Sequence, residues 1–177
     1  MVVAWILFGV IAALVLWAAW FVLLTWLVGK SKRQEQFLAG TLPSPEGFYN
    51  GKAYLLGGGP VPWLGKSFDG AKNIGFNIFT PGGGRLLKIF TPLYKRFSSN
   101  EDGNTRAYYF KTSTGIGFKD KAIKTFKLDY DSPENPFLIR IILDEMVELE
   151  SGEYLGKVHM KVLPGYYATI GFFGLQK

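Results

Sequence analysis

Residues 120–130 read Asp-Lys-Ala-Ile-Lys-Thr-Phe-Lys-Leu-Asp-Tyr, and their alternation decides the fold class. The apolar Phe126, Leu128 and Tyr130 share one face of an extended strand, and the polar residues between them share the other. Successive side chains of a β-strand point to opposite faces, so the pattern is typical of a strand with one buried and one solvated face. Residues 154–162 alternate in the same way.

Working outward, short runs rich in aromatic and β-branched residues are separated by clusters of Gly, Pro, Asn and Asp, among them Gly57-Gly58-Gly59-Pro60. The connections are too short for crossover helices, so neighbouring strands should be antiparallel. The predicted strands lie at 48–56, 63–69, 73–79, 86–97, 105–113, 120–130, 136–148, 153–162 and 166–175. We therefore predict an all-β fold, an antiparallel barrel of about eight to nine strands, with a two-sheet sandwich as the alternative.

Strand 136–148 is expected to differ from the others because both of its faces are partly apolar. Leu138 and Ile142 share a face with Arg140 and Asp144. Either something covers the outer face of this strand, or the mixed face is the barrel interior and Arg140 is an inward charge. Asp144 and Glu145 should point to opposite faces, which disfavours a paired-carboxylate site.

Residues 1–28 contain no charged side chain and exceed the roughly 20 apolar residues that span a bilayer. This stretch predicts one N-terminal transmembrane helix, followed by a juxtamembrane linker at 29–46 and a β-barrel domain at 47–177. A cleaved signal peptide would be preceded by basic residues and end in small residues, which this segment lacks. Lys30, Lys32 and Arg33 follow the helix directly, so the positive-inside rule places the domain on the cytoplasmic side of the membrane.

The composition limits the kinds of catalytic or ligand-binding site that the chain can form. The chain has no cysteine and a single histidine, His159, whose alternation phase with lysines predicts a surface position. Gly65-Lys66-Ser67 ends a near-miss to a phosphate-binding loop, but a strand rather than a helix follows it. We expect no metal, no cofactor and no catalytic residue. The net charge of +6 suits a solvated surface or anionic lipid headgroups, and nucleic acid is not an expected partner.

Gly-Lys steps recur at predicted strand starts, at Asn50-Gly51-Lys52, Leu64-Gly65-Lys66 and Leu155-Gly156-Lys157, and the chain ends near Gly171-Phe172-Phe173-Gly174-Leu175. With these features, residues 48–175 loosely resemble the calycins, the lipocalins and fatty-acid-binding proteins. The resemblance implies a cavity for an apolar ligand, often with an arginine that meets the polar head of the ligand. Arg140 is the position to which that role is carried over.

Thirteen of the fifteen phenylalanines lie beyond the apolar helix, which predicts an aromatic barrel interior. The leading hypothesis is a membrane-anchored barrel that binds or presents a hydrophobic, lipid-like ligand at the membrane surface. The alternatives are a non-catalytic scaffold subunit with a solid barrel and an isomerase- or cyclase-type enzyme. Expected partners are the lipid bilayer, a hydrophobic small molecule, and a protein partner or second copy contacted through the anchor. The predicted ligand-binding residues are Trp63, Phe76, Phe126, Tyr130, Arg140, Tyr154 and Phe172.

Overall fold

The computed structural model describes residues 2–54, 61–163 and 165–177. The predicted turn at Gly57–Pro60 and the last two residues of the predicted strand 48–56 lie outside these ranges. The helices are α1 (Val2–Gly29), α2 (Lys32–Ala39), α3 (Pro81–Phe90) and the single turn α4 (Phe137–Arg140). The strands are β1 (Gly47–Tyr54), β2 (Trp63–Asp69), β3 (Ile74–Phe79), β4 (Ser98–Ser99), β5 (Thr105–Ile116), β6 (Lys124–Asp129), β7 (Ile142–Glu148), β8 (Tyr154–Leu163) and β9 (Tyr166–Gln176).

Eight of the strands form a closed antiparallel barrel. The order is β3-β2-β1-β9-β8-β7-β6-β5, and a further pairing of β3 with β5 closes the sheet. The two-residue β4 is an additional strand on β5. Closure removes the exposed sheet edges that an open sheet of this size would present. The predicted barrel is confirmed, and its architecture is consistent with the calycin resemblance.

The prediction of a strand at 86–97 was wrong, because residues 86–90 belong to helix α3 and residues 91–97 form no strand. Thr80 accepts a hydrogen bond from the backbone N–H of Gly83 and caps the helix, and Pro81 occupies its first turn. Proline at the first helical position is favourable because its fixed φ suits the helix and no hydrogen bond is lost. Three consecutive glycines conceal this start in the sequence, since glycine is a poor helix former.

The segment 136–148 also departs from the prediction. Residues 137–140 form the helical turn α4, so the strand begins only at Ile142. From Ile142 onward the face expected to be mixed is the barrel interior, with Asp144 as the inward charge. Arg140 lies before the strand, and its guanidinium is at the surface rather than in the barrel interior.

The segment after the apolar helix packs on the barrel. Ser31 caps α2 by accepting a hydrogen bond from the backbone N–H of Gln34. Phe37 is fully buried and packs with Val28, at the end of α1, and with Phe172 on the outer face of the barrel wall. Burial of a large aromatic side chain contributes several kcal/mol, so α2 is held firmly to the barrel.

The two ends of the barrel differ. In the end that contains the turn Gly70–Asn73 and the C-terminus, aromatic and aliphatic side chains fill the interior, among them Tyr49, Phe68, Phe126 and Tyr154. We call this the closed end. The opposite end carries α3, α4 and the β8–β9 connection. We call it the mouth, because the interior beneath it is hollow.

Candidate functional site: a cavity with a polar floor

A β-bulge in β2 shapes the interior. The pairing with β3 shifts between Trp63 and Gly65, so Trp63 and Lys66 both face inward although they are three residues apart. Gly65 has φ +146°, and a Cβ at this position would lie 2.0 Å from the Tyr49 carbonyl oxygen. Only glycine fits this backbone conformation and this close approach of β1.

The half of the barrel next to the mouth encloses a cavity of about 430 Å³, which opens at the mouth. This volume lies within the roughly 300–1,000 Å³ range of small-molecule sites. The wall is mostly apolar or aromatic. It is formed by Ala53, Trp63, Phe79, Tyr108, Tyr130, Ile139, Ile142, Val158, Phe172 and Phe173.

The floor of the cavity is a buried polar network around Lys66. Its ammonium lies 3.0 Å from Oδ2 of Asp144 and donates a 3.0 Å hydrogen bond to Oδ1 of Asn77. It also makes a short hydrogen bond with the Tyr130 hydroxyl, which in turn donates to Oδ2 of Asp144 at 3.2 Å. Nε1 of Trp63 donates to Oδ1 of Asn77 at 3.1 Å. The network spans β2, β3, the end of β6 and β7, so it also ties the wall together.

Burial and charge set the protonation of this floor. Desolvation lowers the pKa of Lys66, and the Asp144 carboxylate only partly opposes this effect. Burial raises the pKa of Tyr130 well above its usual value, and the adjacent Asp144 charge acts in the same direction. Tyr130 therefore remains a neutral hydroxyl. The Lys66 ammonium is also stabilised by four aromatic rings whose centroids lie 4.8–5.5 Å from Nζ.

One oxygen of the floor has no partner. Oδ1 of Asp144 is buried, and no hydrogen bond reaches it from the residues that the structure describes. An unsatisfied buried acceptor costs about 1–3 kcal/mol, and more when it is charged. Asp144 lines the cavity, so a donor on a bound molecule would relieve this cost.

The wall above the floor contains a strained residue. Tyr108 has φ +53°, where the register between β3 and β5 shifts. Non-glycine residues avoid this region, at a cost of order 1–3 kcal/mol. Two hydrogen bonds hold the conformation: Asn77 donates to the Tyr108 carbonyl at 3.1 Å, and the Tyr108 N–H donates to the Tyr94 hydroxyl at 2.9 Å. The bulge keeps the Tyr108 side chain at the cavity wall.

The structure brings two of the seven predicted site residues, Trp63 and Tyr130, into the cavity with their side chains inward. Phe172 borders the cavity, but its ring lies on the outer face of the wall and packs against Phe37 of α2, 6.4 Å between centroids. Phe126 and Tyr154 are inward, but they belong to the packed core of the closed end.

The other two predicted residues lie away from the cavity. Phe76 points outward and packs against Tyr109. Arg140 is on the surface, where its guanidinium donates to Asp131 at 2.8–2.9 Å. The basic residue that lines the interior is therefore Lys66 rather than Arg140.

Sequence reasoning missed Lys66, Asn77 and Asp144. For Asp144 a signal exists, since Ile142 and Met146 place it in the apolar phase of its strand. The phase of Lys66 is hidden by the bulge at Gly65.

A second buried cluster lies on the outer side of the same wall. His159, expected on the surface, is fully buried: Nε2 lies 3.0 Å from Glu145 and Nδ1 lies 3.2 Å from the Thr169 hydroxyl. Its alternation phase was right, since it lies on the outer face. That face is covered by the connection 117–123, whose Phe118 N–H donates to Glu145 and whose Asp120 pairs with Lys157. Among the described residues, no hydrogen bond or ion pair joins this cluster to the polar floor of the cavity.

Comparisons with models of known protein families, with curated proteins and with solved structures give no significant match. The fold and the site define the class of protein by themselves. It is a closed eight-stranded antiparallel barrel with a polar-floored cavity, and an apolar helix of 28 residues precedes it.

Proposed function

We propose that the chain is a membrane-anchored barrel that binds a hydrophobic, lipid-like ligand at the membrane surface. The observation that carries the proposal is the cavity of about 430 Å³ with apolar walls and a small polar floor. A few polar groups beneath apolar walls fix the orientation of an amphipathic molecule, since its tail gains from burial and its head needs hydrogen bonds. A barrel that acted only as a solid scaffold would have no reason to retain this space.

The floor indicates which head group fits. Lys66 and Asp144 together carry no net charge, so an anionic head group would approach the Asp144 carboxylate as closely as the Lys66 ammonium. A neutral group avoids that repulsion. The three N–H groups of Lys66 and the single O–H of Tyr130 already donate within the floor, whereas Oδ1 of Asp144 has no donor among the described residues. The floor therefore calls for a hydrogen-bond donor on the ligand. A hydroxyl group is a neutral donor, so the favoured ligand is a neutral lipid with a free hydroxyl.

The N-terminal helix supplies the membrane part of the proposal. Residues Trp5–Gly29 form a continuous helix that is long and apolar enough to cross a bilayer. Its described side chains are almost all exposed, which is unfavourable in water and favourable in hydrocarbon. Lys30, Lys32 and Arg33 at its end favour a cytoplasmic position for the barrel.

The test is to identify the molecule that copurifies with the full chain in mild detergent. Organic extraction followed by mass spectrometry should yield a neutral hydroxyl-bearing lipid from the wild type. Ala53→Trp should abolish it, since Ala53 lines the cavity. Lys52→Trp, one residue away on the exposed outer face, is the matched control and should retain it. Equal lipid recovery from both variants, or none from the wild type, would contradict the proposal.

A second candidate function is an enzyme acting on an apolar substrate. It is favoured by the convergence of Lys66, Tyr130 and Asp144 in one cavity, with the pKa of Lys66 lowered by burial. A lowered pKa increases the fraction of neutral amine, which is the nucleophilic form. The neutral amine would add to a carbonyl carbon and release water to form an imine.

That chemistry has a direct test. Incubation of the full chain with decanal and cyanoborohydride should reduce the imine to a secondary amine and add one alkyl group at Lys66, ahead of the exposed lysines. Lys66→Arg should remove the fast-reacting site. Alkylation at exposed lysines only would rule out this candidate and would leave the binding proposal untouched.

A further inference from the structure

We infer that the mouth of the barrel is itself a bilayer-contacting surface, so that the cavity opens directly into the lipid phase. The inference rests on the proposed anchoring by α1, but not on the identity of the ligand or on the presence of one. It concerns six apolar side chains that we call the rim: Ile89, Phe90, Leu93, Phe137, Leu138 and Leu163.

The first observation is the exposure of the rim. Its side chains are each 63–91 % exposed, although soluble domains rarely leave such residues grouped in water. Ile89 and Phe90 belong to α3 and Leu93 lies three residues after it. Phe137 and Leu138 belong to α4, and Leu163 is the last residue of β8. Because adjacent strands alternate in direction, these elements all lie at the same end of the barrel, around the mouth.

The second observation is the orientation of α3. Leu86, Ile89 and Phe90 follow the spacing i, i+3, i+4, which places them on one face of α3, and Leu93 lies just beyond the end of the helix. A surface helix normally turns such a face toward the core. Here Leu87, on another side of the helix, packs against the barrel core, and the apolar stripe faces outward. A helix with an outward apolar stripe suits a position in the membrane interface.

The third observation is charge. Arg85, Lys88 and Lys95 are exposed beside the rim and complement anionic lipid headgroups. The closed end has no comparable group of large apolar side chains among the described residues. Its turns Gly70–Asn73 and Glu150–Gly152 are small or polar. Its connection 117–123 is basic, and Ile116 beside it is the one described large apolar side chain there that is more than half exposed. A group of exposed apolar side chains flanked by basic residues thus occurs at the end where the cavity opens, which favours the lipid bilayer over a protein partner.

The experiment uses the absence of cysteine from the chain. Full-length Leu93→Cys and Phe137→Cys report on the rim, and Ala71→Cys and Ser151→Cys are matched exposed controls at the closed end. Each variant is labelled with nitrobenzoxadiazole in liposomes of phosphatidylcholine and phosphatidylglycerol. Nitroxide-bearing lipids are then added as quenchers, and carbonate extraction establishes separately that α1 holds the chain in the bilayer.

We expect the two rim labels to lose most of their emission to the lipid-borne quencher and the two controls to retain theirs. Rim labels that are quenched by aqueous iodide instead would overturn the inference, since the mouth would then face water. Rim labels protected from both quenchers would also overturn it, because a protein partner or second copy would then cover the rim. A chain released by carbonate would overturn the anchor and this inference together, whereas cavity occupancy is measured independently.

Discussion

Asp144 and Glu145 are neighbours in β7, yet their carboxylates lie in separate buried clusters on opposite faces of the barrel wall. Asp144 lies 3.0 Å from the Lys66 ammonium in the interior, and Glu145 lies 3.0 Å from Nε2 of His159 on the covered outer face. Strand geometry imposes this separation, since successive side chains alternate. The inner cluster forms the floor of the cavity, and the outer cluster attaches the segment 117–123 to the barrel.

The buried ion pair of Lys66 and Asp144 should make the folded state sensitive to the loss of either side chain. Lys66→Met leaves the Asp144 carboxylate buried without a counterion, and we expect a loss of about 3–5 kcal/mol in the free energy of unfolding. Asp144→Leu should cost a similar amount, and the double variant should recover most of it. Urea denaturation in detergent, analysed as a double-mutant cycle, measures the coupling.

The control for this cycle is the exposed pair formed by Lys72 and Asp69. Lys72→Met should leave the unfolding midpoint almost unchanged, because exposed ion pairs are screened by water. Additive effects of Lys66→Met and Asp144→Leu would show that the two side chains are not coupled in the folded protein.

The buried pair of Glu145 and His159 predicts that the folded state loses stability in acid. Burial opposes ionisation of Glu145, but hydrogen bonds from His159, Phe118 and Thr125 outweigh it and lower the pKa of Glu145 below its usual 4.5. The ionised form is therefore favoured in the folded state. Its stabilisation is present above the usual pKa and is lost as the pH falls through the lower, folded-state pKa.

We expect the unfolding midpoint of the wild type to fall steeply below about pH 4.5. Glu145→Gln should be less stable at neutral pH and should show a shallower fall in acid. Glu150→Gln, at an exposed turn, is the control and should follow the wild type. Identical acid profiles for the wild type and Glu145→Gln would contradict the assigned role of this carboxylate.

The bulge in β2 predicts that substitution of Gly65 destabilises the fold. Gly65→Ala places a Cβ against the Tyr49 carbonyl and forces φ +146°, which side chains rarely adopt. We expect a loss of at least about 1–3 kcal/mol and a disturbed cavity floor, because Lys66 follows directly. Gly115→Ala in β5 meets only the flexible end of Lys127 at 3.7 Å and serves as the control. A Gly65→Ala variant as stable as Gly115→Ala would refute the packing described for the bulge.

The floor also predicts ligand selectivity. Asp144→Asn keeps the shape of the side chain but removes its charge, so the Lys66 ammonium becomes the dominant charge beneath the ligand. We expect the variant to accept lipids with an anionic head group that the wild type excludes, as measured by competition between lauric acid and dodecanol. Unchanged preference for the alcohol would show that Asp144 does not select the head group.

The alternation in the sequence specified the barrel well, because inward residues such as Phe126, Leu128 and Tyr130 must alternate with outward ones. It did not reveal which outward-facing residues are exposed to solvent. His159 and Lys157 have the predicted phase, but α2 and the segment 117–123 cover them through contacts distant in sequence. Nor did the pattern reveal the phase of Lys66, since a one-residue bulge reverses the alternation within β2. The sequence therefore did not predict the site, because one local bulge changes the phase of Lys66. It did predict the fold, because the alternation recurs in several strands.

The central claim is that one small amphipathic molecule occupies the hollow half of each barrel, next to the mouth. Native mass spectrometry of the full-length wild-type chain, released from a mild detergent micelle, measures this occupancy directly. The predicted spectrum shows a chain mass increased by a single lipid-sized adduct that is lost on activation. A spectrum of the bare chain alone, under conditions that preserve lipid adducts on other membrane proteins, would contradict the claim.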